Sequence, residues 1–169
     1  ALDIHVDAIE IDVWAIETEL LVTHDRRLGR QIPDQGLITD HAPSHLRTLD
    51  LGSGVRTPTL DEVVALIRGQ TLLNIELKGT DCAPHVAHKL RTYHNSGLHP
   101  YEKVLISSFD HHQLAWFAQH MPEVKRGALI AHVPLDYANC AVTLGAFSLN
   151  IDVDSVSSAL VADAHARGL

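Results

Sequence analysis

Residues 8–25 read AIEIDVWAIETELLVTHD, and this stretch decides the fold class. In Ile9-Glu10-Ile11-Asp12-Val13 apolar residues alternate with acids, the period-two pattern of a strand with both carboxylates on one face. After a short connector, Leu20-Leu21-Val22 reads as a second strand that runs into Thr23-His24-Asp25, so its polar residues gather at its C-terminal end. Leu72-Leu73-Asn74-Ile75-Glu76-Leu77-Lys78 repeats the device, with Asn74, Glu76 and Lys78 on one face and Ile75 and Leu77 on the other. Each of these strands carries charge where a strand covered on both faces would be apolar.

Outward from this stretch, apolar strands alternate with helical patterns, which predicts an α/β fold: a parallel sheet with helices packed outside it. Residues 26–58 are polar and broken by Gly29, Pro33, Gly36, Pro43, Gly52 and Gly54, and read as an excursion from the sheet with one short helix near 44–51. Thr59 and Glu62 form a capping box that opens a helix with Leu60, Val63, Val64 and Ile67 on its buried stripe. The strand 72–77 follows, then a helix over 84–95 and a strand over 104–109. Asp110 and Gln113 read as a second capping box, opening a helix that buries Leu114, Phe117, Ala118 and Met121. A strand at 126–130, a helix at 135–144, a strand at 147–153 and a helix at 155–167 complete a set of six strands.

Composition narrows the function classes. The chain has enough apolar sequence for one domain, residues 1–169. A formal charge of −8 with no basic run argues against nucleic acid as a partner. No apolar run approaches the roughly 18 residues that a membrane span needs, so no transmembrane segment is expected. Cys82 and Cys140 stand in helical stretches without metal-type spacing. They read as reduced thiols, which favours a cytoplasmic setting and leaves a secreted or periplasmic one open.

In parallel α/β folds the C-terminal ends of the strands share one mouth, which would assemble Glu10, Asp12, His24, Glu76 and Lys78. Carboxylates in contact repel by about 4 kcal/mol per pair at 4 Å and an effective dielectric of 20. Lys78 alone is too little to balance three of them, and an oxygen-rich donor set suits a hard divalent cation, Mg²⁺ or Ca²⁺. Such a cation polarises a phosphoryl or carbonyl oxygen, and His24 supplies a group that exchanges a proton near neutral pH. The pairs His41/His45, His85/His88 and His111/His112 have spacings that zinc sites use. Pro43 interrupts the first pair and the others fall on outer helices, so all read as surface or partly buried histidines.

The ordered motifs Glu10-Ile11-Asp12, Thr23-His24-Asp25, Arg56-Thr57-Pro58-Thr59-Leu60-Asp61-Glu62-Val63, Asn74-Ile75-Glu76-Leu77-Lys78 and Ser107-Ser108-Phe109-Asp110 resemble those of the glycerophosphodiester phosphodiesterase family. The resemblance implies a TIM-type (β/α)8 barrel, of which this chain would cover six of the eight strands, with 26–58 as a small insertion near the mouth. It implies a divalent cation held by Glu10, Asp12 and Glu76, His24 as one of two acid/base histidines, and Lys78 on the phosphate. Phe109, at a strand end, is core or the apolar wall against the glycerol. The implied reaction is hydrolysis of a small-molecule glycerophosphodiester to glycerol 3-phosphate and an alcohol. A related barrel phospholipase-type phosphodiesterase and a non-catalytic metal- or phosphate-binding remnant are the alternatives. The family's opening His-Arg-Gly strand and its final strand do not occur within the sequence; both are expected beyond Ala1 and Leu169. Without them the sheet would expose two edges, which favours association with another copy of the chain.

Overall fold

A computed structural model describes residues 2–169. β1 (Ala8–Ile16) turns through Glu17 and Thr18 into β2 (Glu19–Val22), with Val13 opposite Val22 and Ile16 opposite Glu19. A two-residue link permits only antiparallel pairing, since a parallel crossover needs a dozen residues or more. Glu17 takes the left-handed backbone, φ 52°, that such a tight turn demands. The expectation that the opening strands both join a parallel sheet is thereby corrected. Among the described residues six strands occur in the order β2-β1-β3-β4-β5-β6, and the five other than β2 are mutually parallel.

The excursion contains α1 (Pro43–Leu46), shorter than the 44–51 helix expected. α2 (Leu60–Ile67) begins at the expected capping box: Thr59 Oγ1 accepts from the Glu62 N–H, and the Glu62 carboxylate accepts from the Thr59 N–H. β3 (Leu72–Leu77), α3 (Cys82–Asn95) and β4 (Val104–Ser108) follow. α4 (His111–His120) opens on Asp110, whose side chain accepts from the His112 N–H. Gln113 does not close the predicted second box. Buried instead, it donates to the Gly79 carbonyl and accepts from the Ala83 N–H, pinning the turn after Lys78. β5 (Lys125–Ile130), α5 (Asn139–Thr143), β6 (Ser148–Ile151) and α6 (Ser158–Ala166) complete the chain.

Alternation gives the sheet two chemically different faces. Val13, Leu73, Ile75, Leu77, Val104, Ile106 and Ala128 are buried on the outer face. They form one core with Leu60, Val64 and Ile67 of α2, Val86 and Leu90 of α3, and Leu114 and Phe117 of α4. The inner face is polar. The parallel register sets Glu10 beside Asn74, Asp12 beside Glu76, and Glu76 beside Ser107. Gly127 keeps that face tight, since a Cβ there would stand 3.1 Å from Ser148 Oγ and 3.3 Å from Asn150 Oδ1 and would push both side chains aside.

β1 outruns its parallel partner, and its C-terminal half supports a second, smaller core. Trp14, Ile16 and Leu21 from the hairpin pack with Leu28, Ile32, Ile38 and Leu46 from the excursion. A hydrogen bond from Trp14 Nε1 to the Thr23 carbonyl, 3.0 Å, fixes the indole against the segment leaving β2. The glycine- and proline-rich stretch is therefore held in place beside the C-terminal end of the sheet.

Candidate active site

Because Asp12 and Glu76 are neighbours across a parallel pair and Glu10 lies two residues earlier on the same face, the three side chains converge. One carboxylate oxygen from each lies within 4.8 Å of the others, so the three could hold a metal ion. The Lys78 ammonium inserts between two of them, 3.1 Å from Asp12 Oδ1 and 2.6 Å from Glu76 Oε1. Glu76 Oε1 is buried and has no well-directed hydrogen bond, although the Lys78 charge is close. A buried anionic oxygen without a directed donor is what a metal ligand looks like before the ion arrives. The donor set, three carboxylates and no sulfur, fits a hard divalent cation.

The electrostatics match this geometry. Burial, followed by the charges of Asp12 and Glu76, pushes the Glu10 carboxyl above its ordinary range despite opposing help from Lys78 and His24. Burial works against the charge on Lys78, but the close Glu76 and Asp12 carboxylates outweigh it and raise its pKa. The cluster is short of positive charge even with Lys78 in place.

His24 reaches the same cleft by a different route from the one expected. β2 runs antiparallel to β1, and the chain continues past Val22 along the same strand to set Thr23, His24 and Asp25 beside it. The Thr23 N–H donates to the Asp12 carbonyl, 3.0 Å, which extends the β1–β2 pairing by one residue and brings His24 next to the acidic cluster. A cleft of about 530 Å³ is lined by Glu10, Ile11, Asp12, Val22, Thr23, His24, Arg30, Gln31 and Leu51. Lys78 also faces a smaller cavity of about 180 Å³ with Trp14, Arg26 and Thr39.

His24 Nδ1 lies 2.8 Å from Asp25 Oδ1, and an ionised carboxylate only accepts, so Nδ1 carries the proton and Nε2 is left free. Arg30 grips the same carboxylate twice, Nε to Oδ2 at 2.7 Å and Nη2 to Oδ1 at 2.6 Å. The Arg30 hydrogen bonds and then that of His24 hold the Asp25 carboxyl far below the usual range, which keeps it an acceptor at any working pH. Sequence reading missed Asp25 as the partner of His24 and Arg30 as the partner of Asp25. Asp25 was visible as its neighbour, but Arg30 lay in a stretch read only as excursion. Phe109 follows β4 at the same mouth, 56% exposed, and does not line the cleft of Glu10, Asp12 and His24.

Residues 1–169 match the sequence profile of the Glycerophosphoryl diester phosphodiesterase family. The chain belongs to that family. It is 31% identical to a glycerophosphodiester phosphodiesterase of Caldanaerobacter subterraneus subsp. tengcongensis, over 89% of this chain and 65% of the relative. It is 30% identical to one from Bacillus altitudinis, over 98% of this chain and 73% of the relative. The chain thus spans roughly two thirds to three quarters of these curated relatives. A putative glycerophosphodiester phosphodiesterase from Galdieria sulphuraria superposes with a TM-score of 0.85 at 26% identity, covering 99% of this chain and 71% of that one. An Oleispira antarctica phosphodiesterase in complex with the product sn-glycerol-3-phosphate superposes with a TM-score of 0.83, also at 26% identity, covering 96% and 70%. The parallel strands and outer helices are accordingly part of a TIM barrel of the glycerophosphodiester phosphodiesterase type. Among the described residues no helix is long and apolar enough to cross a membrane.

Proposed function

We propose that this chain carries the metal-binding half of a glycerophosphodiester phosphodiesterase site, and that the protein hydrolyses a glycerophosphodiester to glycerol 3-phosphate and an alcohol. The observation that carries the reading is the convergence of the Glu10, Asp12 and Glu76 carboxylates, two of which, Glu10 and Asp12, line one cleft with His24. The name of the Oleispira relative's product, sn-glycerol-3-phosphate, agrees with this substrate class.

Glu10, Asp12 and Glu76 would hold Mg²⁺ or Ca²⁺. Such an ion, when bound, polarises a phosphoryl oxygen and offsets charge that builds on it in the transition state. The remaining work belongs to the chain. His24 Nε2, freed by the Nδ1–H to Asp25 hydrogen bond, exchanges a proton with the reacting oxygens. Asp25 fixes the imidazole's tautomer and orientation, and Arg30 fixes Asp25. Two of the three ammonium protons of Lys78 face Asp12 and Glu76, which leaves a third for a phosphoryl oxygen. The excursion 26–58 supplies Arg30, Gln31 and Leu51 as the outer wall of the cleft, and Phe109 stands at the rim.

The test is turnover of glycerophosphocholine and glycerophosphoethanolamine by the whole protein and its His24→Ala variant. Loss of a positioned acid or base lowers turnover by about 10²- to 10⁴-fold. The rise in melting temperature on adding Mg²⁺ or Ca²⁺ should survive, since His24 is no ligand in this assignment. Near-normal turnover in His24→Ala removes it from the mechanism.

A further inference from the structure

We propose that Asp34, His41 and His45 form a second cation site, for a borderline transition-metal ion of the Zn²⁺ class, which fastens the loop 29–36 to α1. One donor atom from each residue lies within 4.8 Å of the other two. His45 Nε2 stands 2.7 Å and His41 Nδ1 3.9 Å from the same oxygen, Asp34 Oδ2, and the two imidazoles stack with centroids 5.5 Å apart.

Each of two donors is aimed by a partner outside the cluster. The Gln35 N–H donates to Asp34 Oδ1 at 2.8 Å, which leaves Oδ2 to face the imidazoles. His41 Nε2 lies 2.8 Å from the Gln35 carbonyl. A carbonyl only accepts, so Nε2 holds the proton and the Nδ1 lone pair of neutral His41 points at the Asp34 carboxylate. In the neutral ring two acceptors then face each other, an arrangement that a metal cation resolves. An imidazole whose far N–H is held by a carbonyl is also the usual outer arrangement of a metal-bound histidine.

Distances and donor chemistry select the ion. A tetrahedral Zn²⁺ about 2.0–2.1 Å from each donor spaces donors roughly 3.3 Å apart. The observed 2.7 and 3.9 Å to Asp34 Oδ2 bracket that value, and the donors all lie within 4.8 Å of one another, so side-chain adjustment closes the site. The proton shared by His45 and Asp34 leaves as the ion enters. Two imidazoles and one carboxylate suit Zn²⁺ and its neighbours, whereas Mg²⁺ and Ca²⁺ prefer the all-oxygen cluster of Glu10, Asp12 and Glu76.

The scaffold under the donors is packed. Ile32, Ile38 and Leu46, all 2% exposed or less, anchor the chain beside Asp34, His41 and His45 in the second core. Pro43 keeps the two histidines off one continuous helix, the feature that argued against this pair in the sequence. His41 instead ends the 3-10 turn Ile38–Asp40, and His45 sits within α1. The short turn between them still brings both rings to one side. The same loop presents Arg30 and Gln31 to the catalytic cleft, so an ion here would hold that wall in place.

The experiment is a ZnCl₂ titration of the whole protein against a chromophoric zinc indicator, in excess MgCl₂ to occupy the acidic cluster. One equivalent should bind. His41→Gln, His45→Gln and Asp34→Asn should each weaken binding by at least about 10- to 100-fold, the cost already seen for outer partners of metal ligands. Glu76→Gln should leave it intact, which separates this site from the proposed catalytic one. Zn²⁺ should also slow tryptic cleavage at the exposed Arg30 in the wild type and fail to do so in His45→Gln. X-ray absorption of the Zn²⁺-loaded wild type should show two imidazole ligands, a result that does not depend on any variant folding. No binding by the wild type in excess Mg²⁺, or binding that Glu76→Gln abolishes and the histidine variants keep, overturns the proposal.

Discussion

Replacing Lys78 with Met keeps most of the side-chain volume and removes the positive charge inside the acidic cluster. The Lys78 ammonium, 3.1 Å from Asp12 and 2.6 Å from Glu76, gains about 5 and about 6 kcal/mol of gross attraction at an effective dielectric of 20. Desolvation offsets most of that gain, so the pair's net worth is far smaller. Removing one partner, however, leaves the others uncompensated. The side chains of Asp12 and Glu76 are only 15% and 12% exposed, so water repairs little of the loss. Breaking a buried ion pair in this way costs about 3–5 kcal/mol; residual water access here lowers the expectation to about 2–4 kcal/mol. If the cluster is a metal site, the cost should depend on the ion. Saturating Mg²⁺ or Ca²⁺ supplies the missing charge, and a ligand at 100 times its Kd adds about 2.7 kcal/mol to the native state. Urea unfolding of wild type and Lys78→Met, each in EDTA and in excess cation, measures both effects. The gap between the proteins should be largest in EDTA and fall by at least half with cation. Equal stability in EDTA, or a gap indifferent to cation, would refute the reasoning.

Asp25→Asn should lower turnover by about 10- to 100-fold, the scale for outer partners that orient a functional group, and Arg30→Ala should lower it less, because Asp25 still holds His24. Glu62 is held down to about 2, first by Arg47 and then by the Thr59 N–H, from an ordinary 4.5. Its folded pKa being depressed, its contribution to stability is present above pH 4.5 and drains away as pH falls through about 2. Glu62→Gln should flatten the urea midpoint across that window, as a pH series of unfolding curves would show. Leu46→Ala, at a fully buried position of the second core, should cost about 2–5 kcal/mol and expose the excursion to trypsin without abolishing the Mg²⁺-induced stabilisation.

Most of the architecture was legible because alternation is a local property. Glu10, Asp12, Glu76 and Lys78 declared their shared face through period two alone, and the parallel register then set Asp12 beside Glu76. The direction of β2 was misjudged, because the apolar run by itself does not encode it and the constraint lies in the shortness of the Glu17-Thr18 link. What spacing alone does not convey is contact made through an irregular segment. Arg30 meets Asp25, and Asp34 meets His41 and His45, only because Ile32, Ile38 and Leu46 dock the excursion on Trp14 and Leu21. Gln113 illustrates the same limit on a helix: its capping-box spacing is right, yet the turn at Gly79 and Ala83 captures its amide.

The central claim is that one cation held by Glu10, Asp12 and Glu76 supports diester hydrolysis. Its most direct measurement is release of glycerol 3-phosphate from glycerophosphocholine by the whole protein, in Mg²⁺ or Ca²⁺ and in EDTA, beside Glu76→Gln at matched concentration. The account predicts product only with cation and only from the wild type. Release that persists in EDTA, or equal release from Glu76→Gln, would contradict it.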